Sequence, residues 1–131
     1  MNWSRFPMRR LVAASLAACF APAFAGNSQD TYLLVGVCFV NSFEHYDGKR
    51  VFSRMRVGDL LRLVREAGNS QDDNAVRVEW RGHKLGYIPS SSNEGVARQL
   101  DFGNRLRARV IRLSRHRDPN RRVEMEIILP L

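Results

Sequence analysis

The chain has 131 residues, of which 44% are hydrophobic and 26% charged, an ordinary globular composition with enough chain for one small domain. This excludes a multidomain machine and any low-complexity or fibrous class. The formal net charge of +8 points to an acidic partner such as nucleic acid, anionic lipid or an envelope polyanion, and equally fits a basic protein without a polyanionic ligand.

Arg5, Arg9 and Arg10 precede an apolar run from Leu11 to Ala25, which ends in Ala23-Phe24-Ala25 and holds no acid. A positive start, a short apolar stretch and a small-x-small ending form the layout of a secretory signal peptide, too short and Ala-rich for a membrane span. The expectation is cleavage after Ala25, leaving a domain over residues 26–131 in the periplasm or secreted, with no membrane span. Leu16-Ala17-Ala18-Cys19 offers an alternative, a lipoprotein anchored through Cys19. Hydrophobicity that continues past Cys19 favours the first reading. Removal of the leader leaves Cys38 alone, so no intramolecular disulfide is expected and the core must hold the fold. In an apolar strand, Cys38 reads as a buried, inert thiol.

Gly26 to Asp30 is a polar lead. Thr31 to Val40 is a dense β-branched and aromatic run, apolar on both faces, and is expected as a central strand or one under a covering helix. Gly36 within it suggests a bulge. Asn41 to Lys49 is a polar loop with His45, Tyr46 and Asp47-Gly48. Arg50 to Arg56, with Val51, Phe52 and Met55 as anchors, fits a short strand or a helical turn, and the strand is favoured. Leu60 to Arg65 and Ala75 to Trp80 alternate as half-buried strands around the polar loop Glu66 to Asn74, which is longer than chain reversal needs. Arg81-Gly82-His83 turns the chain into Lys84 to Pro89. Ser90 to Asn93 is an N-cap cluster for a short helix that buries Val96, Ala97 and Leu100 and ends at Gly103. Leu106 to Leu113 is a strand, with a bulge expected at Val110-Ile111. Asp118-Pro119-Asn120 turns into the last strand, Val123 to Leu129. The fold class is mainly β with one or two short helices, a small, partly open barrel of about six strands.

Three groups of residues resemble a HIRAN domain. They are Val35-Gly36-Val37, the series Leu61-Arg62-Leu63-Val64-Arg65-Glu66 with Asn69-Ser70-Gln71-Asp72-Asp73-Asn74-Ala75-Val76, and Leu85-Gly86-Tyr87-Ile88-Pro89 with the helix after it. The resemblance runs from Tyr32 to Leu113. It implies a barrel of the OB or SH3-like kind and a module that grips single-stranded DNA near a free 3′ end. Such domains occur in fork-remodelling helicases and alone in bacteria. The acid that bonds the terminal hydroxyl matches Asp72, the loop asparagine Asn69 and the strand aromatic Phe39. Three positions depart: Cys38 replaces a basic residue, Gln71 a tyrosine and Tyr87 a histidine.

Each candidate carries more than one reading. Asp72, beside Asp73, is a hydroxyl acceptor, half of a cation site or a loop-capping acid. Arg107 and Arg109 share a face as a phosphate-binding stripe or as a solvated basic edge, within the group that includes Arg112, Arg115, Arg117, Arg121 and Arg122. Phe39, Trp80 and Tyr87 are stacking platforms or core. His45, His83 and His116 are isolated, and neither HExxH, CxxC nor a Gly-rich phosphate loop occurs. The expected protein is an exported, non-catalytic, monomeric binding module for single-stranded nucleic acid or another polyanion. It would use Phe39, Asn69, Asp72, Tyr87, Arg107 and Arg109, without metal or cofactor. The alternatives are an envelope protein-interaction module that has lost DNA binding and a metal-dependent hydrolase using Asp72 and Asp73.

Overall fold

The computed structural model describes residues 31–131; the leader, its Cys19 alternative and the polar lead fall outside them. Six antiparallel strands form one sheet: β1 (Tyr32–Phe39), β2 (Leu60–Arg65), β3 (Val76–Trp80), β4 (His83–Tyr87), β5 (Arg107–Leu113) and β6 (Val123–Pro130). Their order is β1-β6-β5-β2-β3-β4. Two short helices, α1 (Gly48–Val51) and α2 (Asn93–Asp101), join them, with single 3-10 turns at Phe43–His45, Phe52–Arg54 and Pro119–Arg121. The sheet is rolled. Just past the end of β1, Asn41 and Tyr87 of β4 exchange both backbone hydrogen bonds, at 2.8 and 2.9 Å. That pair brings the two ends of the strand order together, the Asp47 amide adds a bond to the Lys84 carbonyl at 3.0 Å, and no continuous ladder closes the seam among the described residues. The expected partly open, six-stranded barrel is the result.

Alternation dictates which faces are inside. Leu61 and Leu63, then Val76, Val78 and Trp80, then Ala108 and Val110, then Val123, Met125 and Ile127 all turn inward and are buried. Each large side chain so removed from water contributes roughly 1.5–3 kcal/mol. Trp80 also satisfies its indole N–H, which donates to Asp59 Oδ2 at 2.9 Å, while the Arg56 amide donates to the same oxygen at 2.8 Å. Burial acts to raise the Asp59 carboxyl, but these two bonds and the nearby Arg81 and Arg56 outweigh it and hold it below its ordinary value. The β3–β4 turn has positive φ at both Arg81 (46°) and Gly82 (81°), the geometry that matches the twist of a two-residue hairpin. Bulges occur in β1 between Leu34 and Gly36 and in β5 between Val110 and Arg112, as the interrupted alternation indicated.

Three expectations are corrected. Among the described residues β1 is an edge strand paired only with β6, not a central one. Leu33, Leu34 and Val37 are 55%, 54% and 49% exposed, and no helix among the described residues covers them. Residues 50–56 do not form a strand. Val51 and Met55 are buried four residues apart, and the chain coils through α1 and a 3-10 turn to place both inside. The backbone N–H groups of Arg50 and Val51 donate to the Asp47 carbonyl, and Gly48 lies so close to the Phe43 ring that a side chain there would overlap it. Finally, Ser92 at the start of α2 makes no side-chain cap bond. Asn93 beside it is buried, 2% exposed, and is used elsewhere, as described next. α2 does bury Val96 and Ala97, and the chain leaves it through Gly103 at φ 86°.

Candidate nucleic-acid interface

The polar loop between β2 and β3 is held by its own side chains. Asn69 Oδ1 accepts from the amides of Gln71 (2.9 Å) and Asp72 (3.3 Å). Asp72 Oδ1 accepts from the Asn74 amide at 2.9 Å, and Asp72 Oδ2 accepts from the buried Asn93 amide group at 2.7 Å. These are Asx-type bonds, anchored by backbone bonds between Glu66 and Ala75 and between Ala75 and Asp72. Arg65 braces the base, donating to the Ala75 carbonyl and to Asp101 on α2. The loop therefore has a fixed shape. Each Asp72 oxygen holds one protein donor, and a carboxylate has about four lone-pair sites in all, so acceptor capacity remains for a ligand.

Facing this loop across the seam are Asn41, Ser42 and Tyr46. Together with Asn69, Ser70, Gln71, Asp72, Tyr87 and the start of the β4–α2 link they line an open cavity of about 780 Å³. The closing pair of the barrel is thus one wall of the site. Gly86 makes that approach possible: its φ is 155°, and a Cβ there would run into the Asn41 carbonyl oxygen.

The second wall is an ionic and aromatic network. Lys84 Nζ donates to the Tyr87 hydroxyl at 2.8 Å, and that hydroxyl donates to Glu66 Oε1 at 2.8 Å. Asn69 Nδ2 (3.2 Å) and Arg77 (2.8 Å to Oε2) also donate to Glu66. Lys84 Nζ lies 3.9 Å from the centre of the Tyr46 ring and 4.6 Å from that of Tyr87, and the two rings meet edge to face at 5.9 Å. Burial works to raise the Glu66 carboxyl, yet the Tyr87 and Asn69 hydrogen bonds and the Lys84 and Arg77 charges prevail and hold it low. Burial works to lower Lys84, and its bond to Tyr87 and the negative charge of Glu66 overcome that and raise it. Tyr87 is raised, by burial first and by Glu66, against the opposing pull of Lys84. At neutral pH the wall holds one carboxylate between two cations, with the phenol protonated.

Of the residues singled out from the sequence, Asn69, Asp72 and Tyr87 come together in this cavity; Phe39, Arg107 and Arg109 do not line it. Phe39 lies on the outer face of β1, beneath the Arg112 guanidinium at 5.8 Å. Arg109 is tied to Glu126 (Nε to Oε1 2.7 Å) and to the Tyr32 hydroxyl at 2.9 Å, and the Glu126 bonds foremost raise its already high pKa. Arg112 is paired with Glu124 at 2.8 Å. The β5 stripe is thereby largely neutralised, and only Arg107 remains exposed on it without an acidic partner among the described residues. Cys38 faces the core opposite Met125, and burial pushes its thiol up to about 11, so no charge reaches the ligand from that position. Sequence reasoning missed Tyr46, Lys84 and Glu66. The available signal for Tyr46 was an aromatic ring in a polar loop directly after a strand. Among the described residues, no three His, Cys, Asp or Glu side chains converge as a metal site, and no helix is long and apolar enough to cross a membrane.

The chain is thus a small, partly open antiparallel barrel with a polar, tyrosine-walled cavity at its seam. The HIRAN domain family model matches residues 32–131, and the chain belongs to that family, which is associated with nucleic-acid binding. A crystallised protein from Lactobacillus plantarum is similar at 30% identity and a TM-score of 0.66, over 76% of this chain and 95% of that one. The HIRAN domain of human HLTF shares the fold, with 18% identity and a TM-score of 0.56 over 77% of this chain and 80% of that one. No curated protein sequence matches at a significant level.

Proposed function

We propose that the protein is an exported, non-catalytic HIRAN module that binds the 3′ end of a single-stranded nucleic acid in the seam cavity. The observation that supports this most is the assembly of Asn69, Asp72, Tyr46 and Tyr87 around one open cavity of about 780 Å³. Asp72 retains acceptor capacity for a terminal hydroxyl. Tyr46, 38% exposed, offers a ring for a base, worth about 1–3 kcal/mol per stacked base. Lys84 behind both rings places a positive charge in the wall, which partly offsets the basic residue missing at Cys38. Export rests on the leader-like residues 1–25. The test is titration of the protein with 5′-labelled single-stranded DNA across a salt series. Binding that weakens steeply with salt is expected; no binding at low ionic strength refutes the reading.

A second reading, an envelope protein-interaction module, is favoured by β1. Its exposed Leu33, Leu34, Val35 and Val37 lie on an edge whose backbone groups are open on one side, a surface able to pair with a strand of another chain. Retention of a purified partner by the wild type and by Asp72→Ala alike, without nucleic acid, is what this reading requires.

A further inference from the structure

A second cavity, of about 260 Å³, is lined by Lys49, Phe52, Arg115 and Arg122. Three cations and one aromatic ring meet there, and no carboxylate comes within ion-pair distance of any of the three cations among the described residues. This sets them apart from Arg109 and Arg112 on β5, which are paired with Glu126 and Glu124. Arg122 is held in place, its Nε donating to the His116 carbonyl at 3.0 Å, and Phe52 is fixed edge to face against the buried Phe43 at 6.0 Å. The charges therefore stand around a rigid apolar floor, the combination that lets a phosphate sit beside a stacked base.

The two cavities share one segment. Tyr46 lines the first and Lys49, three residues on, lines the second, and three residues of chain span at most about 11 Å. The Arg-bearing β5–β6 turn is docked to the same segment: the Ser42 amide donates to Asn120 Oδ1 at 2.9 Å. Ser42 adopts a left-handed φ of 60° there, an uncommon conformation for a non-glycine residue. A strand whose 3′ end occupies the seam cavity has only a short step to the second cavity, past Ser42 and Tyr46.

From this we infer that the Lys49, Phe52, Arg115 and Arg122 cavity is a second subsite for the same single strand, taking an upstream phosphate between the cations with its base on Phe52. The inference rests on the single-strand reading for the chemistry of its ligand, and it supplies the cationic grip that the first cavity has lost at Cys38.

The experiment compares 5′-labelled dT2 and dT8, each with a 3′-hydroxyl or a 3′-phosphate, on the full chain and on the Lys49→Gln/Arg115→Gln double variant, both positions being exposed. The wild type should bind dT8 at least tenfold more tightly than dT2. The double variant should lose that advantage while its dT2 affinity stays unchanged, and its dT8 salt slope should fall by about 0.7, the value for the one phosphate no longer neutralised. An unchanged slope and length dependence in the variant overturns the subsite. So does dT2 binding with no gain at dT8, which leaves the 3′-end reading intact. Equal dT8 binding with either 3′ terminus, lost in the variant, supports the subsite and refutes the 3′-end reading. No binding of any strand refutes both. Competition by inorganic polyphosphate as effective per phosphate as dT8 overturns the assignment to a nucleic-acid strand.

Discussion

Replacing Gly86 by alanine puts a methyl group where the Asn41 carbonyl oxygen stands, on a backbone whose φ of 155° L-residues rarely adopt. Two costs follow. Backbone strain of this kind amounts to about 1–3 kcal/mol. Relief by separation of the seam breaks the Asn41–Tyr87 pair, two hydrogen bonds worth about 0.5–1.5 kcal/mol each. The two outcomes compete, so the loss lies at roughly 1–3 kcal/mol by either route and reaches about 2–6 kcal/mol where both contribute. For a domain of this size about 1 kcal/mol corresponds to a fall in Tm of roughly 4–8 °C. Urea unfolding followed by Trp80 fluorescence measures the first quantity. Amide hydrogen exchange measures the second, with a larger acceleration expected at Asn41 and Tyr87 than at Val78 and Val110. A variant as stable as the wild type, within about 0.5 kcal/mol, with both seam amides still protected, would refute the claim that glycine is required for closure.

The other predictions concern the site and its charges. Asp72→Ala leaves the buried Asn93 amide without its acceptor, so thermal unfolding should show a loss of about 1–3 kcal/mol. The same variant should lose affinity for 3′-hydroxyl strands and keep it for 3′-phosphate strands; equal loss for both would mean that the acid only holds the loop. Glu66 and Asp59 both have carboxyls held below their ordinary values. Their stabilising contribution is therefore present above the unfolded-state pKa and lost as pH falls through the folded one. Glu66→Gln should flatten the acid side of the stability profile measured by urea titration between neutral pH and pH 3, and an unchanged profile would contradict the network described. Cys38, with its thiol pushed up to about 11, should resist iodoacetamide at pH 8 in the native state and react promptly in denaturant; rapid native labelling mapped to Cys38 by mass spectrometry contradicts its burial.

Half-buried strands were legible because their signal is local. β2, β3, β5 and β6 each bury alternate residues, and period-two patterning reports that directly. β1 was not, because a dense apolar run shows what a strand is able to bury, whereas its position at the sheet edge is decided by which strand pairs with it ninety residues later. Residues 50–56 offered Val51 and Met55 at a helical spacing and Val51-Phe52 as a strand-like doublet, and only packing against Phe43 separates the two. In the site, Asn69 and Asp72 stood out because turn chemistry is written in consecutive residues. The Tyr46–Lys84–Tyr87–Glu66 network was invisible for the opposite reason: its members belong to three elements that meet only when the sheet rolls. The arginine stripe was overread since the neutralising partners, Glu124 and Glu126, sit on the neighbouring strand.

The place of β1 in the sheet also orders events in time. Among the described residues its only ladder partner is β6, and the Val40 amide is likewise bonded to Val123, so β1 and the start of the Asn41–Tyr46 wall are fixed in full only with the last strand. A chain emerging from the ribosome, or threading through a membrane from its N-terminus, has no seam cavity until nearly all of it has appeared. The seam cavity is then the final thing the fold produces, and a chain cut before Val123 should keep the residues of the Asn69, Asp72 and Tyr87 wall but lack the strand that holds β1 in place.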